Sequence, residues 1–162
     1  MEDAERTLNN FLNAEARPYA VHEAGHAVVA RALGGDVLLV EMDSFTHNGG
    51  KMDCRTLFTV VEDLAVCIAG CGAEHLLDAR TSRAAKAGDR ARVRKLLAPL
   101  PEAEGCAALA EAYRLANEKL MANADGLRMI ADELMRKSIK DRVVRIERDQ
   151  LLLLLDGSLS LR

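Results

Sequence analysis

The sequence predicts a mainly α domain, α+β in the sense that a small sheet accompanies the helices. Three observations carry that expectation. The 162 residues are 49% hydrophobic but only 3% aromatic, with no Trp. A core must then be built from Leu, Val, Ile, Ala and Met, the composition of helix-rich domains. Helical stretches bounded by Pro, Gly and capping residues occupy most of the chain. Only two short stretches, "DVLLVEM" (36–42) and "RVVRIE" (142–147), offer strands, and the second reads equally as a connector. The length suits one domain able to bury its own core.

Taken in order, residues 2–16 form a short N-terminal helix. Pro18 suits the first turn of the next helix, and Gly34-Gly35 mark its end. "DVLLVEM" is a buried strand and "HNGG" (47–50) a turn, with His47 at the surface. Thr59 and Glu62 have capping-box spacing ahead of a long helix to about Ala79. "TSRAAKAG" (81–88) reads as a loop, and "DRARVRKLL" (89–97) as a short helix stopped by Pro99 and Pro101. One or two helices follow between Glu102 and Lys137. Asp149 caps a final turn through the leucines 151–155. The expected organisation is an extension (1–17), a domain (18–156) and a tail (157–162).

A net charge of −3 gives no general pull toward nucleic acid or membrane. No apolar stretch is long enough to span a bilayer. The acidic, polar N-terminus is unlike a secretory signal. The four unevenly spaced cysteines read as reduced thiols. A cytoplasmic protein without nucleic-acid or membrane partners is expected.

The informative stretch is "AVHEAGHAVVARALGG" (20–35). At 100° per residue, Val21, Ala24, Val28 and Ala32 form an apolar arc, with His22 and His26 on its flank. Residues four apart on a helix are stacked neighbours. Two imidazoles so placed can reach one Zn²⁺ at about 2.0–2.1 Å each. Glu23 stands beside such a metal without ligating it, where it takes a proton from bound water. The rival reading is two solvated histidines. With four histidines in the chain, an accidental H-E-x-x-H is rare, under about one case in a hundred at ordinary usage. Gly25 inside the helix costs about 1 kcal/mol against Ala, which suggests that something packs closely there.

A catalytic zinc usually has three protein ligands and an open position. Downstream candidates for the third are Glu74, His75, Asp78 and Asp89, and spacing does not choose among them. Glu74 and Asp78 also read as partly exposed helix surface, and Asp89 as an N-cap.

"YAVHEAGHAVVARAL" resembles the zinc helix of the FtsH family of ATP-dependent metalloproteases, whose signature is H-E-A-G-H-A. The likeness continues in "CIAGCGAEHLL" (67–77), in "AGDRARV" (87–93) and, more loosely, in "ADELMRKSIKDRVVRIERDQLLLLL" near the C-terminus. The resemblance implies a zincin-like helical domain and a peptidase. It makes His22, His26 and Asp89 the zinc ligands and Glu23 the base. Glu74 falls where the family has a glutamate near the metal, which implies a partner that orients a ligating histidine. Cys71 and Gly72 depart from the family's Arg-Ala pattern. The family's ATPase motor is also missing, for there is no phosphate-binding G-x-x-x-x-G-K-[ST] sequence. The expected substrate is therefore an unfolded or short polypeptide, unless a separate ATPase acts as partner. The alternative is a catalytically inactive binding or regulatory module that keeps the peptidase fold.

Other features carry less. Cys67, Cys71 and His75 form a stripe on one helix, but its ends lie about 12 Å apart, too far for one zinc. Small buried thiols are the expectation. Seven basic residues from Arg80 to Lys95, against the one acid Asp89, read as a solvated face. The extended strand at 37–42 would align a substrate through a free edge. The leucine run is either core or a sticky edge that would favour homo-oligomers.

Overall fold

The computed structural model describes the backbone of residues 2–43, 50–81 and 86–157, with side chains from residue 15 onward. Its elements are α1 (Glu2–Ala32), β1 (Val37–Asp43), β2 (Gly50–Cys54), α2 (Val60–Leu76), α3 (Ala87–Leu97), α4 (Glu102–Ala122), α5 (Ala124–Ser138), β3 (Val143–Glu147) and α6 (Arg148–Gly157). The protein is thus mainly helical with one small antiparallel sheet. No described helix is long and apolar enough to cross a membrane.

The organising element is α1. It packs α2 on one side and α5 on another, and the sheet lies against it as well. Every residue from Ala20 to Ala30 is buried. The expected amphipathic helix with two histidines on its flank is therefore corrected to a central helix covered on all faces. This is why the stretch is rich in Ala, Val and Gly, whose small side chains let neighbouring helices approach. A Cβ on Gly25 would lie 2.6 Å from the Ala73 Cβ and 2.7 Å from the Ala69 carbonyl oxygen of α2.

A second correction concerns Pro18, which lies inside α1 instead of opening a new helix. Proline removes one helical hydrogen bond and crowds the preceding turn. Packing compensates here, since Ala16 is buried and Arg17 pairs with Asp132 of α5 at 2.9 Å.

The sheet has the order β2-β1-β3. Val40 of β1 faces Met52 and Ile146, and Met42 faces Gly50 and Val144. In β3, Val144 and Ile146 alternate inward with exposed neighbours, the period-two signature of a sheet buried on one face. The second short stretch is thus a strand, not a connector. β2 was not anticipated, and the expected turn at 47–50 lies outside the described residues except for Gly50. "GKMDC" carries little strand propensity and reads as strand only through its partner β1.

Helix α2 begins as expected. Thr59 N–H donates to Glu62 Oε2 at 2.8 Å, and Glu62 N–H donates to Thr59 Oγ1 at 3.3 Å, completing the capping box. The helix stops at Leu76, three residues before the expected end, and Asp78 beyond it adopts φ +50°. α3 starts at Ala87, two residues early. At the C-terminus α6 starts at Arg148, so Asp149 lies in its first turn. Leu151 and Leu155 are core, whereas Leu153 is exposed. The leucine run is mainly core.

Candidate metal centre

His22 and His26 stack on consecutive turns of α1, with ring centroids 4.7 Å apart and planes at 82°. Both are buried. Their outer nitrogens are engaged by different elements. His26 Nδ1 donates to the Val66 carbonyl of α2 at 2.7 Å. His22 Nδ1 donates to Glu74 Oε1, also of α2, at 2.6 Å. A carbonyl only accepts, and Glu74 is ionised, so both Nδ1 atoms carry a hydrogen, and each ring in the neutral form that a metal requires turns an Nε2 lone pair inward.

Those two Nε2 atoms are 3.1 Å apart. Asp89, in the first turn of α3, places Oδ2 at 2.9 Å from His22 Nε2 and 3.4 Å from His26 Nε2. Three acceptors therefore converge with no donor among them, a set that only a cation or added protons can satisfy. Corners of a tetrahedron with bonds of about 2.0–2.1 Å lie about 3.3–3.4 Å apart. The observed triangle has nearly that size, and two imidazoles with one carboxylate suit zinc chemically.

The electrostatics agree with this geometry. Burial opposes a cation on His22, but hydrogen bonds to Asp89 and Glu74 and the charge of Glu23 overcome it, lifting its pKa to about 9. His26 is also raised, as Asp89 and Glu23 outweigh burial. Burial resists the charge on Asp89, yet the two histidines hold its carboxyl well below the usual range. The field at the triangle favours positive charge.

Glu74 is held in place more firmly than any other carboxylate near the centre. Besides His22, it accepts from the Thr81 backbone N–H at 3.0 Å, the Thr81 hydroxyl at 2.8 Å and Lys86 Nζ at 2.7 Å. Burial would raise its pKa, but these donors pull it down to about 2. A second set of potential ligands, His22, Cys71 and Glu74, also falls within 4.8 Å. Glu74 already serves four donors, and burial pushes the Cys71 thiol up. Glu74 orients His22, and the set is poorly suited to a metal.

Glu23 lies beside the triangle without joining it. Its carboxyl is raised mainly by burial, against the lowering effect of both histidines and of the Gly50 N–H. A Cβ on Gly50 would overlap the Glu23 carboxyl, so a side chain at the start of β2 would push that carboxylate aside. Gly70 plays the same part for His22, since its Cβ would lie 2.5 Å from Cε1 of the ring.

All five anticipated site residues, His22, Glu23, His26, Glu74 and Asp89, thus meet at one place. The rival third-ligand candidates His75 and Asp78 are exposed and outside both clusters. Cys67 is buried as expected, but Cys71 is exposed, because it faces a cleft beside α3. The basic run is exposed as expected at Arg80, Arg90, Arg92, Arg94 and Lys95; among its described residues Lys86 alone is half-buried, on Glu74, and Arg92 pairs with Asp63 at 2.8 Å. Sequence reasoning missed Gly50, Gly70, Thr81, Lys86 and the Val66 carbonyl. Only Gly70 left a signal, a costly glycine within a helix. The chain matches no family model, and no match was found among curated proteins.

Proposed function

We propose that this protein is a zinc-dependent metallopeptidase of the cytoplasm, similar to the peptidase part of the FtsH family, hydrolysing peptide bonds in unfolded or short polypeptides. The observation that carries the reading is the convergence of three acceptor atoms, 2.9–3.4 Å apart, with a further carboxylate, Glu23, held close by. His22, His26 and Asp89 would hold the ion, and Glu74 and Val66 fix the orientation of the two rings. Bound zinc would lower the pKa of its water and polarise the scissile carbonyl. Glu23 takes the proton of the attacking water and passes it to the leaving amine. Its burial makes it a stronger base than an exposed glutamate.

The substrate-aligning edge belongs to β2. β1 is paired on both sides, so the expected free edge at 37–42 does not exist. β2 lies at the sheet margin and begins at Gly50, against Glu23. An extended peptide adding to that margin would lie alongside the base. Folded substrates would need a separate ATPase to unfold them.

The test combines metal analysis with proteolysis of casein by the zinc-loaded chain. About one zinc per chain is expected, lost in His22→Ala and reduced in Asp89→Ala. Glu23→Gln should keep the metal and lose cleavage. If Glu23→Gln and the parent chain act alike on casein and on a broad peptide library, the protein is a binding module instead.

A further inference from the structure

Of the three corners of the metal triangle, His22 and His26 are closed off, with side chains 3% and 8% exposed, whereas Asp89 is 27% exposed. Asp89 is therefore the corner that reaches solvent. It also forms part of the wall of a cleft of about 340 Å³ between α3 and the pair α2 and α4. Ile68, Val93, Leu109 and Tyr113 make the walls apolar. The cations Lys86, at the N-cap of α3, and Arg90 and Arg94, four apart on one face of that helix, line the same cleft.

These charges are unequally engaged. Lys86 is taken by Glu74, and Asp89 by the histidines. Arg90 and Arg94 are exposed, and their guanidinium groups have no hydrogen-bonded or ion-pair partner among the described residues. The cleft thus combines apolar walls, two uncommitted guanidinium groups at its mouth and no uncommitted acid. Its complement is a group with an apolar body and an anion held at the rim. A glutamate or aspartate side chain would instead drive its carboxylate toward the apolar walls, at a desolvation cost. A C-terminal residue fits, because its side chain and its α-carboxylate leave the same Cα in different directions.

We propose, resting on the metallopeptidase reading above, that this cleft receives the C-terminal residue of a peptide substrate, its apolar side chain between α3 and α4 and its carboxylate on Arg90 and Arg94. The protein would then act on free C-termini of short peptides. Water adds across the peptide bond next to that residue, its hydroxyl going to the carbonyl carbon and its proton to the departing amine. Guanidinium–carboxylate pairs are among the stronger polar contacts and are geometrically selective. Such a site needs no unfolding motor, since a short peptide presents its end unaided.

The experiment compares one synthetic peptide ending in Leu as the free acid, as the C-terminal amide, and with Glu in place of Leu. Cleavage by the zinc-loaded full chain is followed by mass spectrometry. The free acid should be cleaved about tenfold faster in kcat/KM than the amide, the worth of one charged hydrogen bond, and faster than the Glu peptide. The double variant Arg90→Gln/Arg94→Gln should bring the acid down to the level of the amide. Equal cleavage of acid and amide, a preference for the Glu peptide, or a preference that survives in the double variant would overturn the proposal. Calorimetric titration of zinc-loaded Glu23→Gln with acid and amide decides the matter independently of turnover. Tighter binding of the acid supports the cleft, and equal binding refutes it. Absence of cleavage with all three peptides counts against the peptidase reading instead.

Discussion

Two glycines set the positions of the two chemically important side chains, and neither has a side chain of its own. At Gly70 the neighbouring object is the His22 ring, and at Gly50 it is the Glu23 carboxyl. Gly70→Ala should displace the ring that Glu74 and Asp89 hold. The expected result is a zinc affinity lowered by about ten- to a hundredfold, the usual range for disturbing the support of a ligand, read by competition with a chromophoric chelator. Gly50→Ala acts on Glu23 and leaves the triangle alone, so it should lower kcat while zinc stays bound. Loss of zinc in Gly50→Ala would show that β2 supports the ligands as well as the base. Gly25→Ala is of another kind, since its Cβ meets α2 backbone. It should cost about 1–3 kcal/mol of stability, the range for overpacking, measured by urea denaturation.

At the scale of the element, the capping box of α2 matters because this one helix supplies Val66, Gly70 and Glu74 to the centre. Thr59→Ala should cost about 1 kcal/mol. Hydrogen bonds from the Thr59 backbone and side chain lower the Glu62 carboxyl below its ordinary value. A lowered folded-state pKa means that the stabilisation is present in full above about pH 4.5. It is lost as pH falls through the depressed value. Parent and Glu62→Gln should therefore differ in melting temperature at pH 7 and converge in acid. A difference that stays constant down to pH 3 would show that the charge of Glu62 plays no part. α3 presents the opposite case. It has no fully buried residue; Val93, Leu96 and Leu97 pack half-buried against the core, and polar contacts of Lys86, Asp89 and Arg92 add to them. Hydrogen exchange in α3 should slow when zinc is added and quicken with a chelator, more than in α4. Equal responses in the two helices would mean that α3 is held independently of the metal.

At the scale of the whole molecule, a metal at the triangle would connect the central helix to a peripheral one, and α2 would join them through Glu74. A ligand that binds only the folded chain stabilises it by mass action, about 4 kcal/mol at a thousandfold excess over Kd. Saturating zinc should raise the melting temperature by several degrees, and His22→Ala should abolish the gain. A gain that persists in His22→Ala would place the responsible metal elsewhere.

The mainly helical character and the H-E-x-x-H pair were determined by sequence alone, because composition, capping spacing and the i, i+4 offset are local properties. The covalent spacing of His22, Glu23 and His26 leaves little for the rest of the fold to choose. The third corner was different. Glu74, His75, Asp78 and Asp89 were equivalent by spacing; the family resemblance pointed to Asp89 and Glu74, but the physical reason lies in the packing of α2 and α3 onto α1, which turns Asp89 and Glu74 inward and leaves His75 and Asp78 exposed. The same holds for β2, whose poor strand residues become a strand only beside β1, and for Pro18, which α1 accommodates because neighbouring elements hold both sides of it. Contacts between residues far apart in the chain have no period and no spacing, so tertiary structure alone could decide them.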